Sequence, residues 1–279
     1  MKIGISHFAT DLSMDPVEFA REAEGRGFES LWVPEHTHIP VSRETEYPKG
    51  GELPEQYFRT MDPMVTLAAM ASVTSRIRLA TGVCLVAQRD PIVLAKEVAS
   101  LDRISHGRLI LGIGVGWNLD ELRDHGVDPH RRRALVREKV LAMRRLWADE
   151  VASFDGELVH LPPSWAWPKP VQQPYPPIVM GAAGGPVTMR HVAEYCDGWM
   201  PIHGRRDLDL SMTELRAACD AAGRDLATVE LCGSGVPVDR SAFEDYAARG
   251  FERIVLAMPH AGRDETLRAL DEGAAVLGW

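Results

Sequence analysis

The stretch GRLILGIGVGW, residues 107–117, joins a short apolar run to a row of glycines. An apolar run of this length without polar alternation is typical of a parallel strand that is buried on both faces. The glycines then remove side chains from the C-terminal end of that strand, at Gly112, Gly114 and Gly116. In a parallel α/β barrel the active site lies at this end of the strands, and a planar ligand could lie there against bare backbone.

The same alternation of apolar runs and helical patterns extends over all 279 residues. Three Asp-Pro pairs, at residues 15–16, 62–63 and 90–91, predict helices that begin at the proline with the aspartate as N-cap. The predicted strands are residues 2–7, 28–34, 77–84, 107–117, 178–182, 198–202, 229–233 and 253–258. This alternation predicts a single-domain (β/α)8 TIM barrel. The alternative, a doubly wound open sheet, lacks the GxGxxG motif expected after its first strand.

Two insertions interrupt the alternation. Residues 35–60, which follow the second strand, are polar and rich in proline, glycine and glutamate, as is typical of a functional lid. The second insertion, residues 151–177, begins with a predicted hairpin over residues 153–161, whose turn is the Asp-Gly pair 155–156. A proline-rich excursion over residues 162–177 completes it. We expect both insertions to shape a substrate pocket.

Composition and charge argue against several classes of protein. The net charge is −9 and no basic stripe offsets it, which disfavours nucleic acid as the main partner. The four cysteines are dispersed and none lies in a CxxC pair, which argues against zinc or a redox dithiol and for a reducing compartment. The chain shows neither the apolar core of a signal peptide nor a stretch that could span a bilayer. We therefore expect a cytoplasmic protein with no membrane partner.

The sequence PEHTH after the second strand supplies the candidate catalytic residues. Glu35, His36 and His38 lie at the C-terminal end of a predicted barrel strand. A His-x-His pair could hold a metal, but further ligands would be needed at later strand ends, and GAAGG after the fifth strand has none. We therefore predict no metal site. His36 is interpreted as a polar contact to a bound ring or as a proton donor, and the alternative is a loop histidine.

Other strand ends carry residues suited to a cofactor. Gly82, in ATGVCLV, marks either a strand-end bulge or a backbone segment that supports a cofactor. Gly184 and Gly185 come just before a predicted helix, where exposed amides and the helix dipole form a phosphate site. Trp117 and Trp199 could flank a flat ligand, although DGW could also be a turn followed by a core tryptophan. All of these residues fall at C-terminal strand ends, which favours one shared site.

Five stretches carry a resemblance to a known family. GFESLWVPEH, TSRIRLATGV, RDPIVLAKEVASLDRISHGRLILGIGVGW, PPIVMGAAGG and AEYCDGW follow one another between residues 27 and 199. They closely resemble the luciferase-like monooxygenase superfamily, and most of all its branch of oxidoreductases that use the deazaflavin coenzyme F420. The resemblance implies a (β/α)8 barrel that holds a flavin or deazaflavin ring at the strand C-termini. It also implies a non-proline cis peptide between Gly82 and Val83 that buttresses the ring, and a phosphate at Ala182, Gly184 and Gly185.

The resemblance implies catalytic residues as well. In related sugar-phosphate dehydrogenases an acidic residue and a histidine after the second strand stand over the ring, and the matching positions are Glu35 and His36. Those enzymes carry a glutamate after the glycines of the fourth strand, where this chain has Trp117. This departure argues against their acid–base scheme and against their sugar-phosphate substrate.

The resemblance leaves alternatives for the cofactor. F420 would give hydride transfer to or from a small organic substrate, whereas FMN supplied by a separate reductase would give oxygenation. A third alternative is a flavin- or deazaflavin-binding protein without catalysis, and Glu35 and His36 argue against it. The resemblance also implies a homodimer.

Overall fold

The computed structural model describes residues 1–278, and its centre is a closed barrel of parallel strands. The strands are β1 (Lys2–Ser6), β2 (Ser30–Val33), β3 (Arg78–Thr81), β4 (Leu109–Ile113), β5 (Ala152–Asp155), β6 (His160–Ser164), β7 (Ile178–Gly181), β8 (Gly198–Met200), β9 (Glu230–Ser234) and β10 (Arg253–Ala257). Around the barrel the order is β1-β2-β3-β4-β7-β8-β9-β10, and β10 closes on β1. Strands β5 and β6 form a separate antiparallel pair. The predicted (β/α)8 barrel is confirmed.

Helices surround the barrel and connect its strands. They are α1 (Pro16–Gly25), α2 (Pro63–Ala71), α3 (Pro91–Ile104), α4 (Leu119–Asp124), α5 (Arg132–Ala148), α6 (Pro186–Tyr195), α7 (Leu208–Ala222), α8 (Arg240–Ala248) and α9 (Arg263–Ala274). Asp15, Asp62 and Asp90 cap α1, α2 and α3, and each carboxylate accepts two backbone N–H bonds. The three Asp-Pro helix starts are therefore confirmed. No helix within residues 1–278 combines the length and the apolar character needed to cross a membrane.

Buried side chains form two clusters, one inside the barrel and one outside it. The inner cluster comprises Trp32, Ala80, Ile110, Val179, Met200, Cys232 and Val255. A larger cluster lies between the outer faces of the strands and the helices. Strand β4 is buried along its whole length, so its sequence is apolar without alternation, as the sequence analysis interpreted it.

Val83 closes the inner cluster at the C-terminal end of the barrel. A non-proline cis peptide joins Gly82 to Val83 directly after β3, as the resemblance implied. A Cβ atom on Gly114 would lie 2.5 Å from one methyl carbon of Val83, and a Cβ atom on Gly181 would lie 2.4 Å from the other. These two glycines therefore make room for the Val83 side chain, which packs on the inner cluster.

Two boundaries differ from the sequence-based expectation. Strand β4 ends at Ile113 and not at residue 117, so its last two glycines lie in the following turn. In the hairpin, Asp155 pairs with His160, so the connection spans residues 156–159 instead of the two-residue Asp-Gly turn. The cause is Glu138 of α5, whose carboxylate accepts N–H bonds from residues 157, 158 and 159 at 2.7–3.1 Å.

The two insertions differ in regularity. The segment 35–60 runs from β2 to α2 with little regular structure apart from a 3-10 turn at Glu55–Phe58. In the second insertion, β6 includes the first two prolines of the predicted proline-rich excursion. Prolines are tolerated there because β5 and β6 form a two-stranded sheet in which both strands are edges.

Candidate active site

The C-terminal ends of four neighbouring barrel strands bring most of the predicted site residues to one end of the barrel. Glu35 and His36 follow β2, and the Gly82–Val83 peptide follows β3. Gly114, Gly116 and Trp117 follow β4, and Ala182, Gly184 and Gly185 follow β7. Because all of these strands are parallel, the residues that follow them share the same rim.

His36 is held at both of its ring nitrogens. Its Nδ1 lies 2.7 Å from Oε2 of Glu121, and its Nε2 accepts a hydrogen bond of 3.2 Å from the indole N–H of Trp117. An indole nitrogen can only donate, so Nε2 carries no proton in this arrangement. The neutral ring therefore has its proton on Nδ1 and donates it to Glu121. The side chains of His36 and Glu121 are both buried.

Glu121 is one of the residues of this site that the sequence analysis missed. It lies in the first turn of α4, and its second carboxylate oxygen accepts the backbone N–H of Thr37 at 3.0 Å. An acidic residue in the first turn of a helix has an ordinary explanation in the helix dipole, so its sequence position carried no signal. It comes four residues after Trp117, the position at which the chain departs from the sugar-phosphate dehydrogenases.

Aromatic side chains from the segment 35–60 complete this side of the site. The ring of Tyr57 lies 5.4 Å from the ring of His36 and 6.2 Å from that of Trp117. Tyr47 lies 6.0 Å from Trp117, and its hydroxyl is 3.2 Å from that of Tyr57. Burial, together with the hydrogen bond to Tyr47, raises the pKa of Tyr57. The predicted lid therefore contributes rings to the site, and the sequence showed no pattern that singled them out.

Glu35 lies behind the rim and supports it. Its carboxylate accepts the backbone N–H of Leu85 at 2.7 Å and the Nε–H of Arg89 at 2.6 Å. Arg89 also bonds Asp62 and Glu97, and although burial opposes its charge, these partners and Glu35 keep the pKa of Arg89 raised. With both carboxylate oxygens engaged and a buried side chain, Glu35 does not stand over a bound ring as expected. It is a positioning residue for the segment after the cis peptide.

The start of α6, where a phosphate was predicted, is formed by two glycines in unusual backbone conformations. Gly184 and Gly185 have φ values of 116° and 101°, which favour glycine. A Cβ atom on Gly184 would lie 2.9 Å from the hydroxyl oxygen of Ser211 and 3.2 Å from an NH1 nitrogen of Arg206. Backbone amides, a hydroxyl group and a guanidinium therefore converge on the place where a phosphate was predicted.

An internal carboxylate partners these donors. Glu214 of α7 accepts the N–H of Gly185 at 3.2 Å and two N–H bonds from Arg206, at 2.8 and 2.7 Å. Each of these donors therefore already has a carboxylate partner within the protein. Arg206 belongs to a polar loop after β8, and the sequence analysis did not identify it.

Trp199 is not part of the site, so this prediction was wrong. Its side chain is fully buried and lies 6.2 Å from the ring of Phe251 in the outer cluster. The next residue of β8, Met200, faces the inner cluster, so Trp199 must face outward. Its indole N–H donates to the carbonyl of Ala182 at 2.9 Å, which helps to hold the loop after β7. Of the two tryptophans that were predicted to flank a ligand, Trp117 is the one that lies at the rim, where it is half-buried.

Residues suited to a metal are engaged with other partners. His38 lies 3.0 Å from both the Thr37 hydroxyl and a carboxylate oxygen of Asp124. Within the part of the chain that the structure describes, no group of three or more His, Cys, Asp and Glu side chains is arranged to hold a metal ion. The cysteines are free and buried, and burial raises the pKa of Cys84 well above its ordinary value.

Comparison with known proteins identifies the family. The sequence profile of the luciferase-like monooxygenases matches residues 13–275. The chain therefore belongs to the luciferase-like monooxygenase family and is an oxidoreductase.

Three relatives illustrate the range of this similarity. An uncharacterised protein of Mycobacterium tuberculosis is 44% identical over 99% of both chains. The F420-dependent glucose-6-phosphate dehydrogenase of Kineococcus radiotolerans is 32% identical over 74% of this chain and 58% of its own length. The crystal structure of the monooxygenase RslO1 from Streptomyces bottropensis has a TM-score of 0.79 at 24% identity and covers 99% of this chain and 98% of its own. This last likeness concerns the fold.

Proposed function

We propose that this protein is an F420-dependent oxidoreductase that transfers a hydride between the deazaflavin and a small organic substrate. The carrying observation is the buried pair of His36 and Glu121, which lies at the same rim as the glycine-rich start of α6. Relatives whose names state F420-dependent dehydrogenase activity support the choice of cofactor. The departure at Trp117 and the partial coverage of those relatives leave their substrates out of the proposal.

The residues present fit the cofactor. Gly184 and Gly185 form a cradle that a Cβ atom would fill, and Arg206 lies beside it, paired with Glu214, whose carboxylate a phosphate would replace. Val83, between two glycines at the end of the inner cluster, offers an apolar support for a flat ring. When bound, the deazaflavin supplies the carbon that accepts or donates the hydride.

His36 and Glu121 are assigned to the proton that accompanies hydride transfer. Alcohol oxidation releases a proton and carbonyl reduction consumes one, so a titratable group beside the reacting carbon is required. His36 is the group whose ring nitrogen faces Trp117 at the rim, and Glu121 holds the ring in place. Glu35 accepts the backbone N–H of Leu85 and so holds the segment after the cis peptide in place.

A second candidate is an FMN-dependent monooxygenase with a separate reductase. The observation that favours it is the anion cradle, since FMN also ends in a phosphate that these donors would bind. A homodimer, a reductase partner and a cytoplasmic location stay predictions of the sequence analysis.

The proposal is tested by titrating the purified protein with F420 and with FMN, followed by fluorescence. The same titration is made on Gly184→Val, whose side chain would collide with Ser211 and Arg206. We expect F420 to bind, and the substitution to weaken binding by at least about tenfold, which corresponds to about 1.4 kcal/mol. The control is Gly250→Val, which has a comparable φ of 85° but no neighbouring atom within 4 Å of its Cβ position.

Each result has a definite meaning. Binding of FMN without binding of F420 would replace the proposed function by the second candidate. An unchanged affinity in a folded Gly184→Val protein would refute the phosphate position.

A further inference from the structure

A cavity of about 860 Å³ lies within the segment 35–60. This is the size of pocket that holds small organic ligands in proteins. Its lining is largely apolar and aromatic, and it comprises Ile39, Pro40, Val41, Arg43, Glu46, Tyr47, Gly50, Gly51, Glu52, Leu53 and Phe58. The cavity adjoins the candidate active site, because Tyr47 contacts Trp117 and Tyr57 contacts His36.

Arg43 is the lining residue that has unmet bonding capacity. Its NH1 nitrogen is buried and has no hydrogen-bond partner within residues 1–278. Its guanidinium carbon lies 5.9 Å from the centre of the Trp117 ring, which is within the range of a cation–π contact. Arg43 also has a φ of 51°, in the left-handed region that favours glycine.

A second arginine of the same segment, Arg59, has a structural role and serves as a comparison. Arg59 pairs with Asp11 at 2.7 Å and with Glu55 at 2.7 Å, so its charge is neutralised within the protein. No ion pair of Arg43 occurs in the described part of the chain. A buried donor without an acceptor lowers stability, so its retention beside a cavity points to an acceptor that arrives with a ligand.

The carboxylates at the edge of the cavity limit the charge of that ligand. Glu46 and Glu52 line the cavity and are exposed to solvent. Both carboxylates repel an anion, and they repel a dianion such as a phosphate monoester more strongly than a monoanion, so a ligand that pairs with Arg43 should carry a single negative charge. The apolar lining requires the rest of the ligand to be hydrophobic.

We infer that this cavity binds an amphipathic monocarboxylate, with its carboxylate on Arg43 and its hydrocarbon body against the lining. This inference rests on the proposed function in one respect, since it assigns the substrate class of the same oxidoreductase. The contact of Arg43 with Trp117 places the bound carboxylate beside the residue that bonds His36.

The test uses three probes that share one hydrocarbon chain. Octanoate, octanol and octylamine are titrated into the wild-type protein and followed by calorimetry. We expect octanoate to bind at least about tenfold more tightly than octanol, because a charge-assisted hydrogen bond to the buried NH1 group of Arg43 is worth more than a neutral one. We expect octylamine to bind more weakly than either.

Variants then locate the carboxylate. Arg43→Gln should weaken octanoate binding by at least about tenfold and leave octanol binding unchanged, and Arg43→Lys should retain part of the preference. The matched control is Arg59→Gln, which should leave both affinities unchanged. Thermal unfolding checks that each variant is folded, and if Arg43→Gln is not, the comparison of the three probes on the wild-type protein decides.

Three results would overturn the inference. These are an octanol affinity equal to that of octanoate, an unchanged octanoate affinity in Arg43→Gln, and no octanoate binding at millimolar concentration. None of these results depends on F420, because the probes are titrated without it. A protein that binds F420 but not octanoate would support the proposed function and contradict this inference. A protein that binds octanoate with the expected preference but does not bind F420 would support this inference and contradict the proposed function.

Discussion

At the scale of single residues, the site depends on how one imidazole is held. Glu121 fixes the orientation of His36 from one side and Trp117 from the other, and both contacts are shielded from solvent. A carboxylate behind a histidine both selects the tautomer and stabilises the protonated ring, as in hydrolase triads. The two residues should therefore act as one unit in the reaction.

This unit is tested with His36→Asn and Glu121→Gln, once a substrate is known. We expect His36→Asn to lower kcat by roughly 10²–10⁴-fold while cofactor affinity changes little, because a proton-transfer group is lost. Glu121→Gln should shift the pH dependence of kcat/KM, because it removes the charge behind the ring. His38→Asn is the control, since His38 is exposed and bonds Asp124. Weaker cofactor binding in His36→Asn with an unchanged kcat would instead assign His36 an orienting contact.

At the scale of elements, three strand ends meet on one side chain. Val83, after β3, fits between Gly114, after β4, and Gly181, the last residue of β7. The glycine row that first suggested bare backbone for a ligand is therefore partly explained by packing. A purely local sequence pattern could not separate these two causes, because the contact joins segments about 30 and 100 residues apart in the chain.

We predict that Gly181→Ala destabilises the protein and that Val83→Ala restores part of the loss. The new methyl group would lie 2.4 Å from a Val83 methyl, and overpacking of this kind costs about 1–3 kcal/mol. Urea unfolding of both single variants and the double variant measures the coupling between the two sites. Gly262→Ala, whose Cβ position is open, should be neutral. Simple additivity of the two substitutions would show that the contact does not limit packing.

At the scale of the whole molecule, a buried histidine links stability to pH. His7 follows β1 and stacks on Phe19 of α1, with ring centres 4.0 Å apart. Burial lowers the pKa of His7 from 6.5 to about 4, and His260 contributes to the shift. Between these values the unfolded chain binds a proton that the folded protein does not. Stability therefore falls as pH is lowered from 6.5 towards 4.

Replacing His7 by Phe should flatten this dependence. One proton difference changes the free energy of unfolding by up to about 1.4 kcal/mol per pH unit, and His7→Phe keeps the aromatic contact but removes the titration. Urea unfolding at several pH values between 4.5 and 6.5 measures the slope, and the difference between His7→Phe and the wild type removes the contribution of the other titrating groups. The exposed His130, changed to Gln, should leave the slope as in the wild type. Equal slopes for His7→Phe and the wild type would contradict the assignment.

The barrel was predictable because its signals are local. Each Asp-Pro pair predicts the start of its own helix, and a continuous apolar run such as that of β4 predicts its own strand. The cis peptide followed from a motif resemblance. The partners within the site were not predictable in the same way. His36 and Glu121 are 85 residues apart, and Tyr57 and Arg206 lie in irregular segments without periodicity. Only the closed barrel brings such residues together, so no window of sequence contains the information.

Under the proposed function, the hydrogen bond from Trp117 to His36 has a consequence for the direction of the reaction. With one proton on Nδ1, the neutral ring keeps an electron pair at Nε2, which the indole N–H occupies. A substrate that is oxidised from an alcohol must lose a proton, and this electron pair is the acceptor that the site would offer in place of the indole bond. The arrangement of the ring therefore suits a proton acceptor better than a proton donor.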